Sequence, residues 1–173
     1  MQHFFRVRFS DRIICFTCNL LLASCAVLLL CTRGFMVQGN CMEPNLQTGE
    51  RVLGSGLAYW LGEPGRGDVI IFRYPRDPSI RYVKRVIGLP GDRIQIRDGR
   101  VYLNGSIKPE PYKLYKSHEN FGVEYVKAGS LFVMGDNRDM SNDSRTWGEL
   151  PLRNVEAKAL LCYWPISRAS WLK

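Results

Sequence analysis

Residues 82–92 read YVKRVIGLPGD. Tyr82, Val83, Val86 and Ile87 are aromatic or β-branched, and the Leu-Pro-Gly-Asp that follows is turn chemistry, so the stretch predicts a strand ending in a turn. Lys84 and Arg85 stand inside it. A lysine in an apolar strand either runs its stem along the surface to reach water, or it is buried. Burial disfavours the charged form, which is the condition a lysine general base requires.

Similar short pieces occur on both sides: 69–72 (VIIF), 93–96 (RIQI), 100–103 (RVYL) and 130–134 (SLFVM). Two of the gaps between and after them carry hairpin chemistry, Asp98-Gly99 and Asn104-Gly105, which suit type I′ turns. The expected fold is therefore mostly β, with locally paired antiparallel strands. Residues 57–61 (LAYWL) suit either the core or a loop dipping into a membrane interface, and the sequence does not choose between them. Residues 108–119 (KPEPYKLYKSHE) are polar with two prolines and predict an exposed connection.

Upstream, residues 13–31 form a run of 19 without a charge, close to the ~20 residues that a helix needs to span a bilayer core. Arg6, Arg8 and Arg12 precede it and only Arg33 follows closely, so the positive-inside rule puts residues 1–12 in the cytoplasm and residues 34–173 outside. A cleaved signal peptide would have a shorter apolar core and an A-x-A-like site. Leu22-Ala23-Ser24-Cys25 looks like a lipobox, but the chain stays apolar after it. Of the 24 Lys+Arg and 16 Asp+Glu, the outer part holds 20 and 15, a net charge of +5. Such a surface is drawn to anionic lipid. The basic residues are scattered, and nucleic acid is not expected as a partner.

Cys15, Cys18, Cys25 and Cys31 lie in the apolar run and read as small hydrophobes. Cys15 and Cys18 match C-x-x-C but lack a βαβ setting. Outside the run stand Cys41 and Cys162, and whether they form a disulfide is open at this level. Cys41 belongs to residues 39–46 (GNCMEPNL). A thiol becomes a useful nucleophile when a neighbour takes its proton. The candidates are His118, in the polar connection, and Lys84. One histidine and so few thiols make a poor ligand set, so no metal or cofactor is expected.

Four blocks follow in order: 41–46 (CMEPNL), 66–72 (RGDVIIF), 82–92 (YVKRVIGLPGD) and 135–145 (GDNRDMSNDSR). With the apolar run before them they resemble the type I signal peptidases of bacteria over essentially the whole chain. The resemblance implies a signal-peptidase-like antiparallel β catalytic domain behind one N-terminal transmembrane helix, cutting signal peptides from exported preproteins. In that family the first block reads S-M-x-P-T-L with serine as nucleophile; here Cys41 takes that place and Asn45 replaces the threonine.

By position, the resemblance makes Lys84 the general base and Ser141 the residue that orients it. It assigns the oxyanion hole to the N–H groups of Cys41 and Gly39, and makes Asp143 with Arg145 a buried pair that Arg85 joins. Met42, Tyr82 and Val83 are expected to line a shallow apolar pocket for a small residue before the scissile bond. The alternative expectation is an impaired homologue that binds preproteins without turnover.

Overall fold

The structure, a computed structural model, describes residues 9–60, 62–113 and 115–172, without the side chains of residues 9–13 and 25–30. The chain divides into two compact units, Met1–Thr32 and Arg33–Lys173. In the first, helix α1 (Phe9–Leu30) covers most of the predicted apolar run. Its described side chains, residues 14–24, are exposed, among them Phe16, Leu20, Leu21 and Leu22. Among the described residues no helix is long and apolar enough to cross a membrane. The orienting residues Arg6 and Arg8, and the side chains of Arg12 and Cys25, lie outside the described residues.

The second unit is built from β1 (Thr32–Met36), β2 (Arg51–Ser55), β3 (Val69–Tyr74), β4 (Asp77–Gly88), β5 (Arg93–Arg97), β6 (Arg100–Leu103), β7 (Ser106–Ile107), β8 (Phe121–Tyr125), β9 (Ser130–Met134), β10 (Leu150–Pro151), β11 (Val155–Trp164) and β12 (Ser170–Trp171), with one short helix, α2 (Ser144–Trp147). Among the described residues the strands form an eight-stranded sheet, ordered β1-β2-β11-β3-β4-β9-β10 with β12 on β11, and a four-stranded sheet, β7-β6-β5-β8. The pairings of known register are antiparallel.

Successive side chains of a strand point to opposite faces. On β3, Val69 and Ile71 enter a core with Val37, Met42, Leu46, Val52 and Ala157, while Ile70 and Phe72 enter another with Val86, Leu131, Val133, Trp147 and Leu150. Both faces of the sheet are therefore covered, which is why VIIF shows no polar alternation. A third core, of Ile87, Ile94, Ile96, Val101, Val126, Phe132 and Met134, joins the small sheet to the large one.

Both hairpin turns form where their chemistry placed them. Asp98 (φ 47°) with Gly99 (φ 68°), and Asn104 (φ 52°) with Gly105 (φ 88°), supply the paired positive φ of type I′ turns. Gly99 is further constrained, because a Cβ there would lie 1.6 Å from the Ser117 carbonyl oxygen.

The blocks 66–72 and 82–92 meet at the end of β4. Arg66 donates to Asp92 at 2.7 Å and to the Ile87 carbonyl, while Asp92 also accepts from the Leu89 N–H at 2.6 Å and from Asn104 at 2.9 Å. Burial pushes the Asp92 carboxyl up, but these donors outweigh it and hold the group below the usual carboxylate range.

One strand was not foreseen, one expectation needs correction and one open choice is decided in part. Strand β11 was not foreseen: VEAKALLCYW is rich in Ala, Leu and Lys, and it becomes a strand because β2 and β3 flank it on both sides. The connection 108–119 is not uniformly exposed, since Ser117 is buried and Glu110, Tyr112 and Lys113 are half-buried. Segment 57–61 divides: Tyr59 packs on the second core and donates to Asp68 at 3.1 Å, whereas Trp60 is exposed and Leu61 lies outside the described residues.

Candidate active site

Strand β4 pairs with β3 from Val69↔Arg85 to Tyr74↔Asp77, but with β9 only at Arg85, Val86 and Gly88. The outer edge of residues 80–83 is thus unpaired among the described residues. A cleft of about 540 Å³ opens along it, with Phe35 to Cys41 on the other side. Gly39, Cys41, Tyr82, Val83 and Lys84 all line this cleft.

Cys41 is half-buried, and its Sγ points at the Val83 carbonyl oxygen 3.9 Å away. Lys84 is 3% exposed, and its Nζ lies 5.2 Å from the centre of the Tyr82 ring. Among the described residues no carboxylate forms an ion pair with it. Its register partner on β3 is Ile70, a member of the second core. The backbone N–H groups of Gly39 and Cys41 donate to no protein acceptor among the described residues. Gly39 has φ +88°, a conformation that glycine adopts without strain.

The Cys41 loop is fastened to the block 135–145. Asn137 N–H donates to the Cys41 carbonyl at 3.0 Å. Gly135 makes this approach possible, since a Cβ on it would lie 2.4 Å from the Cys41 carbonyl oxygen and 2.3 Å from Ser141 Oγ. Ser141 Oγ donates to Asp143 at 2.6 Å, and the Gly135 N–H donates to both Ser141 Oγ and Asp143.

Asp143 is fully buried, caps α2 by accepting from the Arg145 N–H, and takes the Arg145 guanidinium at 2.8 Å. Burial opposes the charge on Arg145, yet Asp143 and Glu119 outweigh that and raise its affinity for the proton above the ordinary value. Asp143 and Arg145 are thus brought together with Ser141.

Arg85 is not in that pair. It points away from its neighbour Lys84, as alternation along a strand demands, and grips Asp136 at 2.7 and 2.8 Å while its guanidinium stacks 4.1 Å above Tyr112. Asn45 donates to the same Asp136 at 2.8 Å. Met42 also departs from expectation. It is completely buried in the first core beside Leu46, whose N–H bonds the Met42 carbonyl at 2.9 Å, and it is not among the side chains that line the cleft. Tyr82 turns its ring onto Tyr74 at 4.8 Å, and Val83 packs on the first core.

His118 bonds Asp98 at 2.9 Å on the β5–β6 turn and is not part of the cleft wall. Cys41 and Cys162 are both free thiols. Sequence reasoning missed Arg138, buried and paired with Glu110, which also accepts from the Tyr112 hydroxyl at 3.0 Å. The only available signal was a charge inside a block already recognised, with no hint of its partner 28 residues upstream.

The family model of the signal peptidases, peptidase S26, matches residues 10–164. The signal peptidase I of Leptolyngbya laminosa is 36% identical over 139 residues, 76% of this chain and 68% of that one. The probable signal peptidase I-1 of a Synechocystis species is 36% identical over 160 residues, 86% and 82% of the two chains. A crystal structure of a signal peptidase I from Enterococcus faecalis superposes with a TM-score of 0.51 at 34% identity, covering 56% of this chain and 96% of that one.

Proposed function

Because the chain belongs to the signal peptidase family, peptidase S26, we propose that it is a membrane-anchored endopeptidase that removes signal peptides from exported preproteins after a small residue, with Cys41 as nucleophile and Lys84 as general base. The relatives that it matches include signal peptidases I, and it is a protease of that class. The observation that carries the residue assignment is that Cys41, a buried Lys84 and two unengaged backbone N–H groups border one cleft.

The preprotein lies extended along the unpaired edge of β4, recognised by main-chain hydrogen bonds. Lys84 Nζ takes the thiol proton and Sγ attacks the scissile carbonyl carbon. The N–H groups of Cys41 and Gly39 hold the oxyanion, as donors aimed at developing charge do. The tetrahedral intermediate breaks its C–N bond, the leaving amine takes the proton back from Lys84, and a thioester remains. Water, deprotonated by Lys84, hydrolyses it and releases the signal peptide.

Ser141 Oγ donates to Asp143 at 2.6 Å, and its role in this reading is to orient the Lys84 amine. The uncharged run 13–31 supports a single-pass anchor, with the arginines before it in the cytoplasm and residues 34–173 outside.

Full-length protein in detergent, incubated with a preprotein, tests the assignment. Cleavage is expected from the natural chain, abolished in Lys84→Ala and blocked by a thiol alkylator; Cys41→Ser replaces the nucleophile with the family's own. Preprotein bound but uncut by the natural chain, with Cys41→Ser active, would make it a binding homologue instead.

A further inference from the structure

Beyond Trp164 the chain leaves the sheet, makes a turn over Ile166–Arg168, and returns as β12 to pair Ser170 with Cys162. This detour sets Arg168 over the loop that carries Cys41. Its Nε donates to Glu50, and one terminal nitrogen donates to the Pro44 carbonyl at 2.9 Å. Glu50 is 3% exposed, and its other carboxylate oxygen accepts the Gln47 N–H at 2.9 Å. The Glu50 carbonyl accepts the Val37 N–H at 2.8 Å, and Gly49 N–H donates back to Val37 at 2.9 Å.

Residues 37–50 therefore form a loop closed at its neck by backbone bonds between Val37 and residues 49–50, and tied across its middle by one buried carboxylate and one guanidinium. Cys41 sits on the arm between the neck and Pro44. A planar fork can hold a carboxylate and a carbonyl at once, which a lysine ammonium, a single point charge, does less well.

We propose that Arg168 with Glu50 is a positioning pair for the nucleophile: the C-terminal segment holds the 37–50 loop so that Cys41 Sγ and the N–H groups of Gly39 and Cys41 keep their places in the cleft. The pair touches no reacting atom. It acts through the Pro44 carbonyl, inside the turn that begins at Cys41, and the Gln47 N–H just after that turn. The inference rests on the reading of Cys41 as nucleophile.

The test uses full-length protein in detergent with Arg168→Ala, Arg168→Lys and Glu50→Gln, and Arg153→Ala as an exposed control. Turnover of a preprotein with alanine before the scissile bond, amide hydrogen exchange of residues 37–47 and the thermal midpoint are read together. Arg168→Ala is expected to lower kcat about tenfold or more with KM within about twofold, since a displacement near 1 Å costs on the order of 10² in rate. Exchange of 37–47 should quicken at least about fivefold, at a thermal midpoint close to that of Arg153→Ala. Arg168→Lys should fall between. An unchanged kcat, or a kcat loss matched by a KM change and a lowered midpoint, overturns the proposal. If the natural chain cuts nothing, the functional reading fails by itself. Exchange then decides the clamp, and unchanged protection of 37–47 in Arg168→Ala overturns it.

Discussion

The Ser141 hydroxyl spends its proton on Asp143, at 2.6 Å, and takes the Gly135 N–H at 3.1 Å. Its oxygen is thereby fixed beside the strand end that also accepts the Cys41 loop. Ser141→Ala is expected to reduce kcat about 10- to 100-fold while costing about 1 kcal/mol of stability, because Gly135 N–H keeps its bond to Asp143. Asp143→Ala should instead unfold the region, leaving the buried Arg145 charge short of its main partner at a cost of about 3–5 kcal/mol. Steady-state kinetics beside chemical denaturation separates the two effects.

Gly135→Ala places a methyl group 2.3 Å from Ser141 Oγ and 2.4 Å from the Cys41 carbonyl oxygen. Both must move. Turnover is expected to drop by about 10² or more, since the Cys41 loop and Ser141 shift together. An alanine variant with parental kcat would show that the contact is dispensable.

Met42 is completely buried in the first core. Met42→Ala should therefore lower stability by about 2–5 kcal/mol, the usual cost of emptying such a site. The preference for the residue before the scissile bond should stay the same. A stable Met42→Ala protein with altered preference would return Met42 to the substrate pocket.

Asp92 is held below the ordinary carboxylate range by Leu89 N–H, Arg66 and Asn104, against the opposing effect of burial. Its stabilisation is complete above about pH 4, where the unfolded carboxyl is ionised, and is lost as pH falls through the lower folded value. Asp92→Asn should be less stable than the parent at pH 7, and the difference should shrink below about pH 4. Urea midpoints across pH 2.5–7 read this directly; a constant difference would argue against it.

Much of the local structure was legible. Asp98-Gly99 and Asn104-Gly105 carry their conformation in their chemistry, because few other pairs adopt two successive positive φ values without strain. The runs 69–72 and 130–134 could hardly be anything but buried strands. Strand β11 was not legible, since Ala, Lys and Leu are as content in a helix and its neighbours β2 and β3 are far away in sequence. The turn at Arg168 was silent for a related reason: its partner Glu50 is 118 residues distant.

What the sequence determined by itself was the chemistry available: a thiol in block 41–46, a lysine inside a strand, and a serine, an aspartate and an arginine at the end of block 135–145. What only the tertiary structure decided was which of these groups meet. Lys84 and Arg85 are adjacent and both cationic, yet one borders the cleft and the other pairs with Asp136. Cys41 and Met42 are adjacent too, and one borders the cleft while the other fills the core. Residue type is a local property. Burial, pairing and the face a side chain occupies depend on strands brought together from distant parts of the chain, and no short window contains them.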